Sequence, residues 1–230
     1  MGLAILYADE HLVAVDKPAG RLVIPGRGVS SERTVQAEAS EQLGRLWVVH
    51  RLDRGTSGVL VFARTAAAHR ALNLAFDRRQ VAKRYLALVR GAPAAEARID
   101  VPIAPSRRGR MRPGRAGDVR AKQALTVIRL LESLPGRGSL PPLALVEATP
   151  ETGRTHQIRV HLAWAGSPLA VDPDYGDPGP LVDAEGAVLL SRTPLHASDL
   201  ELPHPAHGGA LRISAPMPED MARVLAAWRD

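Results

Sequence analysis

Eight short apolar stretches with the two-residue alternation of β-strands follow one another along the chain, most of them with no helix between. They cover Leu3–Tyr7, Leu12–Asp16, Gly58–Ala63, Arg84–Val89, Leu125–Leu131, Leu143–Thr149, Leu195–Leu202 and Leu211–Ser214. Strands joined by short turns run antiparallel, because a parallel connection needs a crossover of about a dozen residues or more. Helical spacing is confined to Thr34–Leu43, Ala66–Arg79 behind a capping Thr65, His156–Ala165, and Pro218–Trp228 with Pro218 at a tolerated first-turn position. This order predicts an α+β fold: a mainly antiparallel mixed sheet flanked by helices and loops.

Twenty glycines and 19 prolines punctuate the 230 residues, yet there is no internal repeat, low-complexity tail or long linker. A single domain over 1–230 is expected, whether or not it divides into two lobes. With 45% hydrophobic residues the chain can bury one sizeable core or two small ones, which excludes disorder as its main state. The absence of cysteine excludes disulfides, zinc ribbons, thiolate nucleophiles and iron–sulfur sites. The opening MGLAILYADEHLVAVDKP has no basic segment and is broken by Asp9 and Glu10, unlike a signal peptide. No run reaches the roughly 18 apolar residues of a membrane helix, and Leu6 stands where a myristoylation signal carries Ser or Thr. A cytoplasmic protein with no membrane partner is expected.

Basic residues outnumber acidic ones by 30 to 24, and among the basic residues only Lys17, Lys83 and Lys122 are lysines. The planar guanidinium fork suits phosphates and base edges, which points to RNA or DNA; a mere reflection of genomic base composition is the competing reading. From Ser106 to Lys122 seven basic residues stand against one acidic, among Pro and Gly. An exposed loop is expected there, either gripping a polyanion through Arg107, Arg108 and Arg110 or simply solvated.

Familiar motifs are absent. No lysine follows a glycine, so there is no P-loop, and no Gly-x-Gly-x-x-Gly follows a strand. His50-Arg51-Leu52-Asp53 superficially resembles a kinase catalytic loop, but neither a glycine-rich loop nor Asp-Phe-Gly accompanies it. His156 and His161, five residues apart on a helix, point about 140° apart, which argues against a shared metal. With three Trp, three Tyr and two Phe, base stacking rests on few side chains, and Tyr85 is the best placed.

Two polar clusters remain. The first, Val49 to Gly58, squeezes Asp53 into a strand-to-strand connection beside Arg51 and Arg54. Such a carboxylate is either a nucleophile or general base, kept ionised by nearby positive charge, or a turn residue that only folds the connection. The second, Pro150 to His161, joins a strand end to a helix and carries Arg154, His156 and Arg159. Arg159 is a buried cation for a catalytic carboxylate, a phosphate contact or a packing ion pair, and spacing alone does not choose.

The segment HRLDRGTSGVLVFAR resembles the signature of the RluA-type pseudouridine synthases, within the RluA/RsuA family. Four further stretches follow in that family's order: Asp9 to Gly20, Lys83 to Val89, Thr152 to His161, and Leu195-His196-Ala197-Ser198 with His204-Pro205. The resemblance implies the pseudouridine synthase catalytic fold and isomerisation of uridine in structured RNA, rRNA or tRNA, with no cofactor and no metal. It implies that Asp53 is the catalytic aspartate, Tyr85 the tyrosine that stacks on the base, and Arg159 the arginine that pairs with the aspartate. Arg51 matches a position implicated in filling the gap left by the flipped nucleotide, and the set as a whole fits an enzyme that must pull a base from the stack, hold it against an aromatic face and present a poised group. RNA is expected to be held by Arg51, Arg54, Arg154 and His156 together with Arg107, Arg108 and Arg110. The family often shows Gly-Asp ahead of its Tyr-Gly, where this chain has Val171-Asp172-Pro173-Asp174-Tyr175-Gly176, and nothing ahead of Leu3 is expected to form a separate N-terminal RNA-binding domain. A monomer without an obligatory protein partner is expected. The alternatives are a catalytically silent RNA-binding module on the same fold, with Asp53 as a turn residue, and a glycoside hydrolase working by paired carboxylates.

Overall fold

The computed structural model describes residues 2–26, 34–136, 138 and 140–229, without the side chain of Arg108. The elements run β1 (Ala4–Ala8), β2 (Leu12–Lys17), α1 (Val35–Leu43), β3 (Trp47–Val48), β4 (Ser57–Ala63), α2 (Ala66–Asp77), β5 (Ala82–Arg90), β6 (Glu96–Asp100), β7 (Ile103–Pro105), β8 (Met111–Pro113), β9 (Leu125–Leu134), β10 (Leu143–Pro150), α3 (Gln157–Trp164), β11 (Leu181–Val182), β12 (Val188–Leu190), β13 (Leu195–Pro203), β14 (Ala210–Ser214) and α4 (Glu219–Arg229). They form two compact units: Met1–Lys83 with Ala197–Pro216, and Arg84–His196 with Met217–Asp230.

In the first unit β1, β2, β4 and β13 are successive neighbours, with β3 on β4 and β14 on β13. The β2–β4 pair is antiparallel and sets Leu12 opposite Ala63 and Ala14 opposite Val61. Alternation along both strands then sends Leu12, Ala14, Val59, Val61 and Ala63 into one cluster. Helix α2 contributes Ala68, Leu72 and Ala75 to it at helical spacing, and Thr65 caps the helix by accepting the Ala68 N–H at 3.1 Å. The β1–β2 turn is built on Asp9. Its Oδ1 accepts the N–H groups of His11 and Leu12 at 2.7 and 2.8 Å, while Oδ2 accepts Tyr7 Oη at 2.8 Å and His204 Nε2 at 2.6 Å. Burial raises the pKa of this carboxyl, but His204 and the backbone donors outweigh burial and hold it below the ordinary carboxylate range. Two of the motif stretches, separated by most of the sequence, thus meet in one hydrogen-bonded corner.

In the second unit the strand order is β5, β10, β9, β6, every pair antiparallel. Alternation on β5 splits the core into two layers. Leu88 joins a cluster with Met221, Val224, Leu225 and Trp228 of α4, whereas Ala87 and Val89 join one with Ile158 and Leu162 of α3. Trp228 Nε1 donates to Pro141 O at 2.9 Å, and Arg192 forks onto Asp220 at 2.6 and 2.7 Å. Together these observations make the fold α+β with a mostly antiparallel sheet.

All eight expected strands and four expected helices are present, each within two or three residues of its expected ends. The stretch expected as a plain loop is partly ordered, and that expectation is corrected. β7 and β8 pair as a short antiparallel ribbon, Ile103 opposite Pro113 and Pro105 opposite Met111, closed by a 3₁₀ turn at Arg107–Gly109. The anchor is apolar: Ile103 is buried with Ala124 and Val160, and Met111 and Tyr175 pack against them. Strand β6 was also unforeseen. Only Ala97 and Ile99 mark its inner face, while Glu96, Arg98 and Asp100 point outward, as befits a strand at the end of the sheet order.

Candidate active site

Asp53 sits in the connection between β3 and β4 in the first unit. Strand β3 pairs only Trp47 with Ala63 and Val48 with Phe62. Beyond it the His50 ring takes over, its Nε2 accepting the Val61 N–H at 3.0 Å and its plane stacking on Phe76 at 5.0 Å. The main chain is thereby freed to turn. The turn closes when Thr56 N donates to the Asp53 carbonyl at 3.1 Å, so the backbone of Asp53 makes the turn. The next carbonyl, that of Arg54, accepts from Gly20 N at 2.7 Å and from Lys17 Nζ at 3.3 Å, and Lys17 also donates to Pro18 O at 2.9 Å. Lys17 is completely buried, and Arg54 returns its own Nε to Gly20 O at 2.9 Å. The opening motif therefore clamps the Asp53 turn, while Arg51 and Arg54 remain exposed and Asp53 partly so.

Burial, and then the charge of Lys83, push the His50 pKa down to about 3. The folded protein thus holds this ring neutral, whereas in the unfolded chain it takes a proton below about pH 6.5. Its contribution to stability is complete above pH 6.5 and is lost as the pH falls toward 3, reaching a loss of about 2 kcal/mol at pH 5. His50→Gln keeps an acceptor for Val61 and removes the titration. Urea unfolding at pH 7.5 and pH 5 is expected to show a smaller pH-dependent loss in this variant than in the wild type, and equal losses would disprove the neutral, buried ring.

The second unit holds the other cluster. Arg159 is buried and forks onto Asp172, Nε to Oδ2 at 2.9 Å and Nη2 to Oδ1 at 2.6 Å, and Nη2 reaches Asp174 Oδ2 at 2.9 Å. The fork fixes the guanidinium plane. Its carbon lies 4.9 Å from the centre of the Tyr175 ring, and Tyr175 Oη meets both His156 Nδ1 and the Met111 N–H at 2.8 Å. His156, at φ 55°, is the left-handed residue that starts α3. Burial raises the pKa of Asp174, but Arg159, Arg110 and His156 together hold it below the ordinary range.

Gln157 anchors the turn before this helix. Its Oε1 accepts Thr152 Oγ1 at 2.7 Å and Arg154 N at 3.0 Å, and its Nε2 donates to Leu125 O at 2.9 Å and Thr126 Oγ1 at 3.0 Å. Arg154 is half-buried, its Nε on Gln123 O at 3.0 Å. His161 turns away from His156 into the core, between Thr126 Oγ1 at 2.8 Å and Val101 O at 2.9 Å. Tyr85 of β5, opposite Ala148 of β10, is half-buried against the α3 side of the sheet. On the ribbon Arg107 is exposed, Arg110 bonds Asp174 at 3.0 Å, Arg112 pairs with Asp118, and the side chain of Arg108 lies outside the described residues.

Of the residues expected from sequence, the structure gathers His156, Arg159 and Arg110 around Asp172, Asp174 and Tyr175 in the second unit, and places Asp53, Arg51 and Arg54 on one clamped turn in the first. Sequence reasoning missed the carboxylates of Asp172 and Asp174, the Gln157 hub and the Lys17 clamp. The Asp172-to-Tyr175 string was visible only as a departure from a family pattern, and nothing in it pointed to Arg159.

Residues 11–164 match the family model described as RNA pseudouridylate synthase. The chain belongs to that family. Ribosomal large subunit pseudouridine synthase D of Nitrosomonas europaea is 41% identical over 237 residues, an alignment covering 99% of this chain and 66% of that protein. The protein of the same name from Xanthomonas campestris pv. campestris is 41% identical over 239 residues, covering 99% of this chain and 70% of its own length. The chain thus spans about two thirds of the length of these relatives. Among solved structures, human RNA pseudouridylate synthase domain containing 4 superposes with a TM-score of 0.77 at 28% identity, covering 98% of this chain and 93% of that one. The matched stretch of the pseudouridylate synthase family contains Asp53, Tyr85 and Arg159.

Proposed function

We propose that this protein is an RNA pseudouridine synthase acting on large-subunit ribosomal RNA, with residues 1–230 working as one catalytic domain. The observation that carries this reading is the family match over 11–164, with the Asp53 turn folded and clamped inside it. In the reaction the N1–C1′ bond of uridine breaks, C5 bonds to C1′, C5 loses its hydrogen and N1 gains one. Atoms balance without an oxidant, reductant or water, so the reading includes no cofactor. Asp53 is the carboxylate that acts on the nucleotide, Tyr85 offers its ring face to the extruded base, and Arg159 is the cation of the site. Arg51, Arg54, Arg154, His156 and the ribbon arginines hold the RNA. The protein acts as a cytoplasmic monomer; among the described residues no helix is long and apolar enough to cross a membrane.

The test is direct. Large-subunit RNA lacking the modification is incubated with the protein, and new pseudouridines are located by carbodiimide labelling and primer extension, with release of tritium from C5-labelled uridine as the rate. Sites appearing with the expected one-for-one tritium release support the reading. RNA binding without either would instead favour a silent binding module.

The ribbon has its own test. Arg107 and Arg115 are exposed, whereas Arg110 and Arg112 are engaged with Asp174 and Asp118. Replacing Arg107 and Arg115 by Gln is expected to flatten the dependence of log K on log salt by about 0.7 to 0.9 per lost phosphate contact, with turnover at saturating RNA changing much less. An unchanged slope measured by filter binding would return these arginines to bulk solvent.

A further inference from the structure

Asp174 is shared by two arginines of different character. Arg159 is buried and already matched by the fork onto Asp172, so its charge is compensated before Asp174 is counted. Arg110 stands on the ribbon with half its side chain exposed; its Nε meets Asp174 Oδ1 at 3.0 Å and its Nη2 meets Pro173 O at 3.5 Å. Asp174 therefore contributes a link rather than a charge match. A second, neutral link runs beside it, from the Met111 N–H to Tyr175 Oη and on to His156. The two links differ in how they answer a polyanion. A phosphate competes for an exposed guanidinium, with stronger charge-assisted bonds than a solvated ion pair supplies, and does not compete for a backbone N–H held by a half-buried phenol.

We propose that Asp174 is a positioning residue that couples RNA capture by the ribbon to the setting of Arg159. In the free protein it divides itself between the two arginines. When an RNA phosphate engages Arg110, Asp174 is left to Arg159 alone, and the second of the two carboxylates that already hold Arg159 no longer shares its charge with another arginine during turnover. The inference rests on the reading of this chain as an RNA-modifying enzyme.

The proposal separates two variants that a plain structural ion pair would not. Arg110→Gln removes a phosphate contact but leaves Asp174 to Arg159, so KM for RNA rises while kcat is retained. Asp174→Asn leaves Arg159 held by the charge of Asp172 alone and frees Arg110 of its competitor, so kcat falls about tenfold while KM stays level or drops. The double variant should show the kcat of Asp174→Asn, and Asp174→Glu should recover part of it. Equal phenotypes for Arg110→Gln and Asp174→Asn, or a wild-type kcat in Asp174→Asn, would overturn the coupling. A parallel loss of kcat, affinity and thermal midpoint in Asp174→Asn would also overturn it, in favour of a merely structural pair. If the wild type itself forms no pseudouridine, the functional reading falls first, and that outcome is distinct from all of these.

Discussion

Asp53→Asn is expected to fold with a wild-type thermal midpoint, to bind RNA with nearly unchanged affinity, and to lose turnover by about a thousandfold or more. The fold survives because the turn is closed by the Asp53 carbonyl and held by Lys17 and Gly20 on the following residue, and Asn leaves that backbone in place. Turnover fails because an amide has neither the charge nor the nucleophilicity of a carboxylate. Tritium release from C5-labelled RNA measures the one, and thermal unfolding the other. Normal turnover would end the catalytic assignment. A variant that unfolds while its residual folded fraction turns over normally would make Asp53 a turn residue and nothing more.

Gly58→Ala is expected to do the reverse, damaging the fold rather than the chemistry. Gly58 has φ 108°, and a Cβ placed on it would lie 2.2 Å from the Ala197 carbonyl oxygen and 2.8 Å from its carbonyl carbon and nitrogen. Backbone, not a flexible side chain, is what the methyl meets, so β4 and β13 would have to separate at the point where the Asp53 connection enters the sheet. Left-handed strain and overpacking together amount to about 3 kcal/mol or more. For a chain of this size that is a fall in Tm of roughly 10 °C. Differential scanning calorimetry reads it, and a fall of a degree or two would mean that the strands part easily there.

The contrast between these two positions, five residues apart, shows what was legible in the sequence. Elements with a strong period were legible: β4 is buried along its whole length and α2 buries Ala68, Leu72 and Ala75 in register, so pattern alone located both. Strands β7 and β8 were not, since three residues each, the last a proline, are too few to show a period, and their stability comes from Ile103 reaching Val160, far away in sequence. The candidate site divides in the same way. Asp53 stood out because its turn is local, packed with polar residues over a few positions. The partners of Arg159 lie 13 and 15 residues beyond it, past a helix whose geometry decides which side chains it faces. His50 was read as one more polar residue of its cluster, and only the register of β4 shows that its ring replaces a missing strand partner.

Helix α4 has a consequence for how the protein is made. It supplies Met221, Val224, Leu225 and Trp228 to a core that otherwise comes from Arg84–His196, yet Ala197–Pro216, which belongs to the other unit, is synthesised in between. During translation the second unit therefore emerges with its α4-facing surface uncovered and stays so while the first unit receives its last two strands. The nascent chain carries an apolar face holding Leu88, Leu143 and Leu145 through that interval, a natural place for a chaperone to hold and for a stalled ribosome to produce aggregates. Neither unit corresponds to one continuous stretch of message, so a premature stop anywhere before α4 leaves the second unit without its closing layer.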